Sequence, residues 1–589
     1  MKKIINKPEN LVYEMCKGIE LAHPELEFIE KFKIIKKRNI NEKKVTLISG
    51  GGSGHEPAHA GFVGKGMLDA AVCGDVFASP SQIQVYQAIR ETASDKGTLL
   101  IIKNYSGDMM NFKNAAYLAT EDGINVDYIK VDDDIAVQDS LYTVGHRGVA
   151  GTVMVHKIAG AMAEMGKELH EVKAAAEKAA RNVKSIGFAF SSCTVPAKGT
   201  PTFEIAESEM EYGVGIHGEP GIKREKIISA DELAERMVPA LLSSLEIKSH
   251  STSSDEIALM INGFGGTPLQ ELYLLNHSVF KALHNRDIKV HRIFVGNFMT
   301  SIDMLGASVS IMKLDDELKS LLNEPCQAPG LNIYGPIEAP SYTPLAIINK
   351  ETLARKVSYE VETDASASTL KNNVVTLENL EYMVDVMSEC IIKNEVPFCE
   401  LDSFAGDGDF GMSVAKGFRQ LKSEWHELVS TSTTIGEFLE NCSLIIMEYC
   451  GGASGPIWGS AFRGAGKKAG LVNEMGLTQF AEMMQGAISA IQKTGERSFG
   501  RGAVVGDKTL IDALVPAVDA LSQSAKEGLD IKIALENGAK AAVEGAEATK
   551  KIAARMGRAG TVGDRSIGHP DAGAHALGVI FTDLASKMK

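Results

Sequence analysis

Between residues 325 and 372 the chain changes texture, and this change constrains its fold more than any other feature. Pro329, Pro336, Pro340 and Pro344 keep the backbone extended, and the small polar tract 362–371 (ETDASASTLK) loses more entropy on ordering than it can offset by burial. Upstream, short β-rich runs alternate with helical patterns, the signature of sheets covered by helices. Downstream almost everything reads as amphipathic helix at bundle-like spacing. A multidomain protein is therefore expected: an α/β part made of two α/β subdomains (1–185 and 186–324), a proline-rich linker (325–372) and an all-helical domain (373–589).

After an opening helix, the first subdomain should hold strands over 44–49, 98–104 and 125–131, with helices over 81–92, 111–120, 151–165 and 169–182. The second should hold strand-like runs over 185–190, 211–221, 256–266, 291–298 and 307–314 and a helix over 267–284. Eight helices follow the linker, over 377–393, 412–422, 435–449, 456–469, 477–492, 509–521, 531–553 with a break near Gly538, and 574–588.

A formal charge of −15 argues against nucleic acid or an anionic membrane as the main partner, although a local basic patch can still hold phosphate. No apolar run is long enough to span a bilayer, and MKKIINKPEN turns polar without the apolar core of a signal peptide, so a cytoplasmic location is expected. The eight cysteines form no C-x-x-C pair and read as reduced, mostly buried residues.

In the helical half, residues 401–411 (LDSFAGDGDFG) place Asp402, Asp407 and Asp409 in one short turn-forming segment. Three carboxylates so close repel one another unless a cation sits among them, and oxygen-only ligands suit Mg²⁺. Gly406, Gly408 and Gly411 give the backbone freedom to curl, and they also spell G-x-G-x-x-G. Acids at the second and fourth positions of that pattern would repel a pyrophosphate held on bare N–H groups. The bland reading is an acidic, solvated helix N-terminus. Other glycine loops are candidates to meet it: 451–456 (GGASGP), Arg501 with 506–509 (GDKT), Arg558, and 563–573 with His569 and Asp571. Each alone reads equally as a glycine turn or cap. Neither 61–66 (GFVGKG) nor 464–468 (GAGKK) completes a P-loop.

In the α/β half, His55, Lys103, Asp108 and His217 follow strand-like runs, where an open sheet places its ligands. A lysine, a carboxylate and two imidazoles can bind a carbonyl compound and move its protons, and a histidine can act as a covalent nucleophile.

The pairing of SGGGSGHEP, KNYSGD and GIHGEPG with a bundle carrying GDGD, GGASGP and GDKT resembles the single-chain, ATP-dependent dihydroxyacetone kinases over nearly the whole chain. The resemblance implies a two-part α/β substrate domain and a nucleotide domain shaped as a barrel of eight antiparallel helices. It implies that His217 forms a hemiaminal with the substrate carbonyl, that His55 and Asp108 serve acid/base transfer, and that Gly52, Ser53, Gly54, His55, Lys103 and Asp108 line the substrate site. By the same likeness Asp402, Asp407 and Asp409 hold Mg²⁺, while Phe410, Gly411, Met412, Ser413, Ala453, Ser454, Gly500, Thr509, Arg558, Asp571, Ala572 and Gly573 surround ATP. Many relatives have histidine at Phe410 and asparagine at Ser413, which puts a phosphate contact by Phe410 in doubt. A homodimer through the substrate domains is implied, with no membrane or nucleic-acid partner.

The motifs also admit a kinase for another short ketose or aldose, such as erythrulose or glyceraldehyde, since hemiaminal capture needs only a carbonyl. Further alternatives are recharging of retained ADP by a phosphotransferase-system protein, flavin dinucleotide cyclisation at the nucleotide site, and a non-catalytic ketone-sensing regulator.

Overall fold

The computed structural model describes residues 2–137, 145–250, 255–345, 360–556, 560 and 563–589. The chain divides into two compact units, Met1–Pro344 and Leu345–Lys589.

In the first unit, strands Leu26–Ile29, Ile34–Lys37, Thr46–Ser53, Ala70–Val76, Thr98–Lys103 and Val126–Val131 form one sheet. Thr46–Ser53 lies between Ala70–Val76 and Thr98–Lys103 and runs parallel to both. The two short charged strands at the edge pair antiparallel, and neither they nor Ala70–Val76 was expected from sequence. TLLIIK has no polar face because both of its faces are covered. Leu100 and Ile102 share a core with Val85 and Phe112 of helices Gln82–Thr92 and Ser106–Glu121. Leu99 and Ile101 share another with Val153 and Ile158 of helix Gly151–Glu164.

The second sheet contains Val183–Ala189, Glu209–Tyr212, Lys223–Lys226, Glu256–Gly263, Lys289–Gly296 and Gly306–Leu314. Helices Ala230–Ser244 and Leu269–His284 cover one face through Leu233, Met237, Leu272 and Val279. Met260 and Met312 on the other face join the core of Gly151–Glu164, which therefore serves both sheets and is buried throughout residues 151–163. A helix apolar nearly all round suits that central place. The strand expected over 211–221 stops at Tyr212, because Gly213 at φ 78° turns the chain into a loop.

Much of the stretch expected to be linker is core. Cys326–Ala328 and Leu331–Ile333 pair across Pro329 and Gly330, and Cys326, Ala328, Leu331 and Ile333 are buried in the first unit. The prolines masked a hairpin with alternating burial. Residues 346–359 lie outside the described residues. The tract 362–371 is also anchored: the Asp385 carboxylate accepts the Glu362 and Thr363 N–H groups at 2.8 Å, and Asn379 Nδ2 donates to the Ala367 carbonyl at 2.7 Å.

In the second unit, helices Leu377–Lys393, Phe410–Ser423, Ile435–Tyr449, Ser454–Ala469, Leu477–Phe499, Ile511–Lys526, Ile531–Ala548 and Ala572–Lys587 each pack against the next, and the last packs against the first. Their apolar faces enclose a cavity of about 140 Å³ among Met383, Leu439, Trp458, Phe480, Leu514 and Leu577. Two short helices, Glu395–Asp402 and Trp425–Thr431, were missed by the sequence pattern. The break expected near Gly538 is absent: Ile531–Ala548 continues through it, and Gly538 faces Leu521 and the Ala517 carbonyl of the neighbouring helix. All eight cysteines are free, and no helix among the described residues is long and apolar enough to cross a membrane.

Candidate active site

The glycines at the end of strand Thr46–Ser53 exist for close approach. A Cβ on Gly51 would lie 2.4 Å from Lys103 Nζ, and one on Gly52 2.7 Å from the Ala78 nitrogen. Lys103 ends the parallel neighbour strand, and Asp108 sits in the first turn of the helix that follows. Their side chains are buried and meet at 3.1 Å, while Asp108 Oδ1 has no hydrogen-bond partner. Gly54 donates to the Glu56 carboxylate at 2.9 Å, and Ser53 Oγ donates to the Gly74 carbonyl at 2.7 Å, so both brace the turn.

His55 is fully buried, with Nδ1 at 2.8 Å from the Thr300 carbonyl oxygen. A carbonyl only accepts, so Nδ1 carries the proton and Nε2, which lacks a partner, keeps its lone pair. His217, from the loop after Glu209–Tyr212, presents its ring edgewise to His55 at 4.7 Å and to Tyr105 at 4.5 Å. Phe77 stacks on His55 at 5.1 Å. Burial, then the neighbouring His217 and Lys103, hold the pKa of His55 well below its usual value. Burial, then Lys103 and Arg147, bring His217 down to about 3. Both imidazoles are therefore neutral at neutral pH, beside a lysine ammonium able to polarise a carbonyl oxygen. Gly52, Ser53, Gly54, His55, Lys103, Asp108 and His217 thus share one site. Tyr105, Phe77, Thr300, Arg147 and Glu219 also build it; Tyr105 and Glu219 stand inside the motifs, whereas Phe77 and Thr300 carry no local signal.

In the second unit, Asp402, Asp407 and Asp409 bring carboxylate oxygens within 4.8 Å of one another. Asp402 Oδ2 accepts the Gly408 N–H at 3.0 Å and the Phe410 N–H at 3.4 Å, which folds the loop back on the end of helix Glu395–Asp402. Of the three glycines, only Gly408 needs a positive φ (75°). Gly406 and Gly411 serve close approach instead: a Cβ would fall 2.3 Å from Asp402 Oδ1 and 2.0 Å from the Glu395 carbonyl oxygen, respectively. Phe410 packs its ring towards Phe398 at 6.1 Å and joins the helical core.

Several of the other loops meet this one. Gly451 donates to the Ser413 carbonyl at 3.2 Å, bringing up Ala453 and Ser454 at the head of helix Ser454–Ala469. Phe404 stacks flat on His569 at 3.8 Å. Lys508, buried, donates to the carbonyls of Ile552, Ser566 and His569 and so pins the loop before Asp571. Asp571 caps helix Ala572–Lys587 through the Ala574 N–H at 2.8 Å; burial first, then Asp512 and Asp402, raises its pKa. Gly573 lies against Leu510, next to Thr509, whose N–H donates to Asp512 at 2.8 Å. Arg501 is held by Asp507 at 2.5 and 2.9 Å, beside Gly500, which caps helix Leu477–Phe499. Met412 is exposed, and Arg558 lies outside the described residues.

Fold and sites together define a class: an α/β unit with a buried histidine, lysine and aspartate cluster, followed by a helical unit with a carboxylate triad. The family model described as the Dak1 domain matches residues 17–330, and the DAK2 domain matches residues 404–586. The chain belongs to the dihydroxyacetone kinase family. It is 33% identical to triokinase/FMN cyclase of Rattus norvegicus, over 98% of this chain and 97% of that protein. The dihydroxyacetone-binding subunit of a PTS-dependent dihydroxyacetone kinase of Listeria innocua is 49% identical over 54% of this chain and 95% of its own length. The solved dihydroxyacetone kinase of C. freundii in complex with AMP-PNP and Mg²⁺ superposes with TM-score 0.60 at 31% identity, covering 99% of both chains.

Proposed function

We propose that the chain transfers the γ-phosphoryl group of ATP to dihydroxyacetone, giving dihydroxyacetone phosphate. One observation carries this reading: a site of neutral histidines suited to a carbonyl and a carboxylate triad suited to a metal-bound phosphate occur in the same chain. Likeness to the nucleotide-bound C. freundii enzyme supports ATP as donor.

In this reading a ring nitrogen of His217 adds to the ketone carbon. The C=O π pair moves to oxygen, and the proton of the other ring nitrogen ends on that oxygen, leaving a neutral hemiaminal. Lys103 holds the developing charge, and Asp108 keeps the lysine in place. His55 Nε2 takes the proton of the substrate hydroxyl as that oxygen attacks the γ-phosphorus, and the bond to the ADP oxygen breaks with its electron pair. Asp108 Oδ1 is the second candidate acceptor.

The hard oxygen donors of Asp402, Asp407 and Asp409 fit Mg²⁺, which when bound supplies neutralisation of phosphate charge. Phe410 to Ser413, Ala453, Ser454, Gly500, Thr509, Arg558 and Asp571 to Gly573 are assigned to the nucleotide. Within this reading the chain acts as a cytoplasmic homodimer, and the two sheets of the first unit are separate subdomains.

A coupled ADP-release assay with Mg-ATP against dihydroxyacetone, glyceraldehyde, erythrulose and glycerol tests the proposal. Fastest turnover with dihydroxyacetone is expected, and none with glycerol. Preference for erythrulose would move the assignment to another short ketose, and no ADP release with any carbonyl compound would end the kinase reading.

A further inference from the structure

His217 stands on neither strand nor helix, so the loop after Tyr212 must be held by other means. We propose that Arg147 and Glu219 are positioning residues that fix this loop so that His217 meets the substrate carbonyl; the proposal rests on the assignment of His217 as the capturing group. The backbone N–H of His217 donates to Glu219 Oε2, while Arg147 Nη1 donates to Glu219 Oε1 at 2.8 Å. The same guanidinium reaches the start of the loop, where Nη2 donates to the Gly213 carbonyl at 2.9 Å, and Nε donates to Asp134 Oδ2 at 2.7 Å. One buried cation therefore ties both ends of the loop to a fixed aspartate.

Two further observations separate this from an ordinary ion pair. Arg147 is 1% exposed and spends donors from all three of its nitrogens on protein acceptors, so it holds the loop and not a ligand. Gly215 lies against the pair: a Cβ there would fall 2.0 Å from Glu219 Oε1 and 2.6 Å from Arg147 Nη1. Attack on a carbonyl depends on small displacements of the nucleophile, and slackening the loop should slow capture without touching nucleotide affinity.

The test is steady-state kinetics of the full chain with dihydroxyacetone and Mg-ATP on Glu219→Gln, His217→Ala and the double variant. Glu219→Gln should lower kcat/KM for dihydroxyacetone by about 30-fold and leave KM for Mg-ATP within about twofold. In the His217→Ala background the same change should alter residual kcat/KM by less than about twofold, because no positioned nucleophile is left to lose. An equal loss in both backgrounds, or no loss in either, would overturn the positioning role. Gly215→Ala removes no charge, and the same cycle on it decides if Glu219→Gln is not recovered folded. Failure of the underlying assignment shows separately, as His217→Ala alone keeping wild-type kcat/KM and full discrimination against glycerol.

Discussion

The two units handle charge in opposite ways. In the first, His55 is braced by Thr300 and the backbone of His217 by Glu219, while burial and the nearby Lys103 keep both rings neutral. In the second, Asp402 and Asp409 are half-buried and Asp407 is exposed, so the three clustered carboxylates keep access to water. The difference follows from what each must meet. Addition to a carbonyl needs a nitrogen lone pair, and burial preserves it by disfavouring protonation. A polyphosphate arrives hydrated and with its metal, so carboxylates that receive it must keep their charge and their access to water.

Removing charge from one side only is the strongest way to break this contrast. Asp407→Ala should lower turnover with Mg-ATP on the order of 10³-fold, while calorimetry with dihydroxyacetone alone shows unchanged affinity. Equal loss of both would show that the loop also shapes the ketone site. Next in size, His217→Ala should cut discrimination of dihydroxyacetone over glycerol on the order of 10²-fold, with KM for Mg-ATP unmoved. Full discrimination in that variant would exclude covalent capture.

Acid sharpens the comparison without mutation. His156, fully buried and 3.0 Å from His59 Nδ1, has its pKa brought down to about 3 by burial and then by Lys103, against 6.5 when free. Its folded value is depressed, so its contribution is whole above pH 6.5 and is lost as pH falls towards 3. At pH 5 it costs about 2 kcal/mol, with His55 acting in the same direction. Both tryptophans, Trp425 and Trp458, belong to the second unit, so fluorescence follows that unit while circular dichroism follows both. Between pH 7 and 5 the first unit's thermal transition should fall while the fluorescence transition holds. An equal fall in fluorescence would mean that the units do not differ in this way.

How much of this could be read from sequence depends on how far apart the partners lie in the chain. Asp402, Asp407 and Asp409 occupy one run, and their convergence was legible because eight residues cannot carry them far apart. Most strands and helices were legible for the same reason, since period and turn chemistry are local. The charged edge strands were not, because their register depends on Ala70–Val76 rather than on their own pattern. Motif order and family likeness grouped His55, Asp108 and His217, but not what holds them: Thr300 lies 245 residues from His55, and Arg147 reaches Gly213 across 66. The 325–372 stretch misled because prolines suggest a linker wherever they stand. Burial of Leu331 and Ile333 is decided by the core they meet.

Phe410 offers the smallest expected effect. The family likeness puts a histidine there in many relatives, which would suggest a polar contact with phosphate. In this chain the ring turns towards Phe398 and the helical core, and the backbone N–H, common to every residue but proline, is what reaches Asp402. The position therefore contributes to the loop through its backbone and to stability through its ring. Phe410→Ala should lower stability by about 1 to 2 kcal/mol, as expected for a partly buried aromatic, and change kcat/KM for Mg-ATP by less than about threefold. Phe410→His should leave that ratio near wild type. A loss approaching that of Asp407→Ala in either variant would place the ring among the groups that touch the nucleotide and remove the distinction between backbone and side chain at this position.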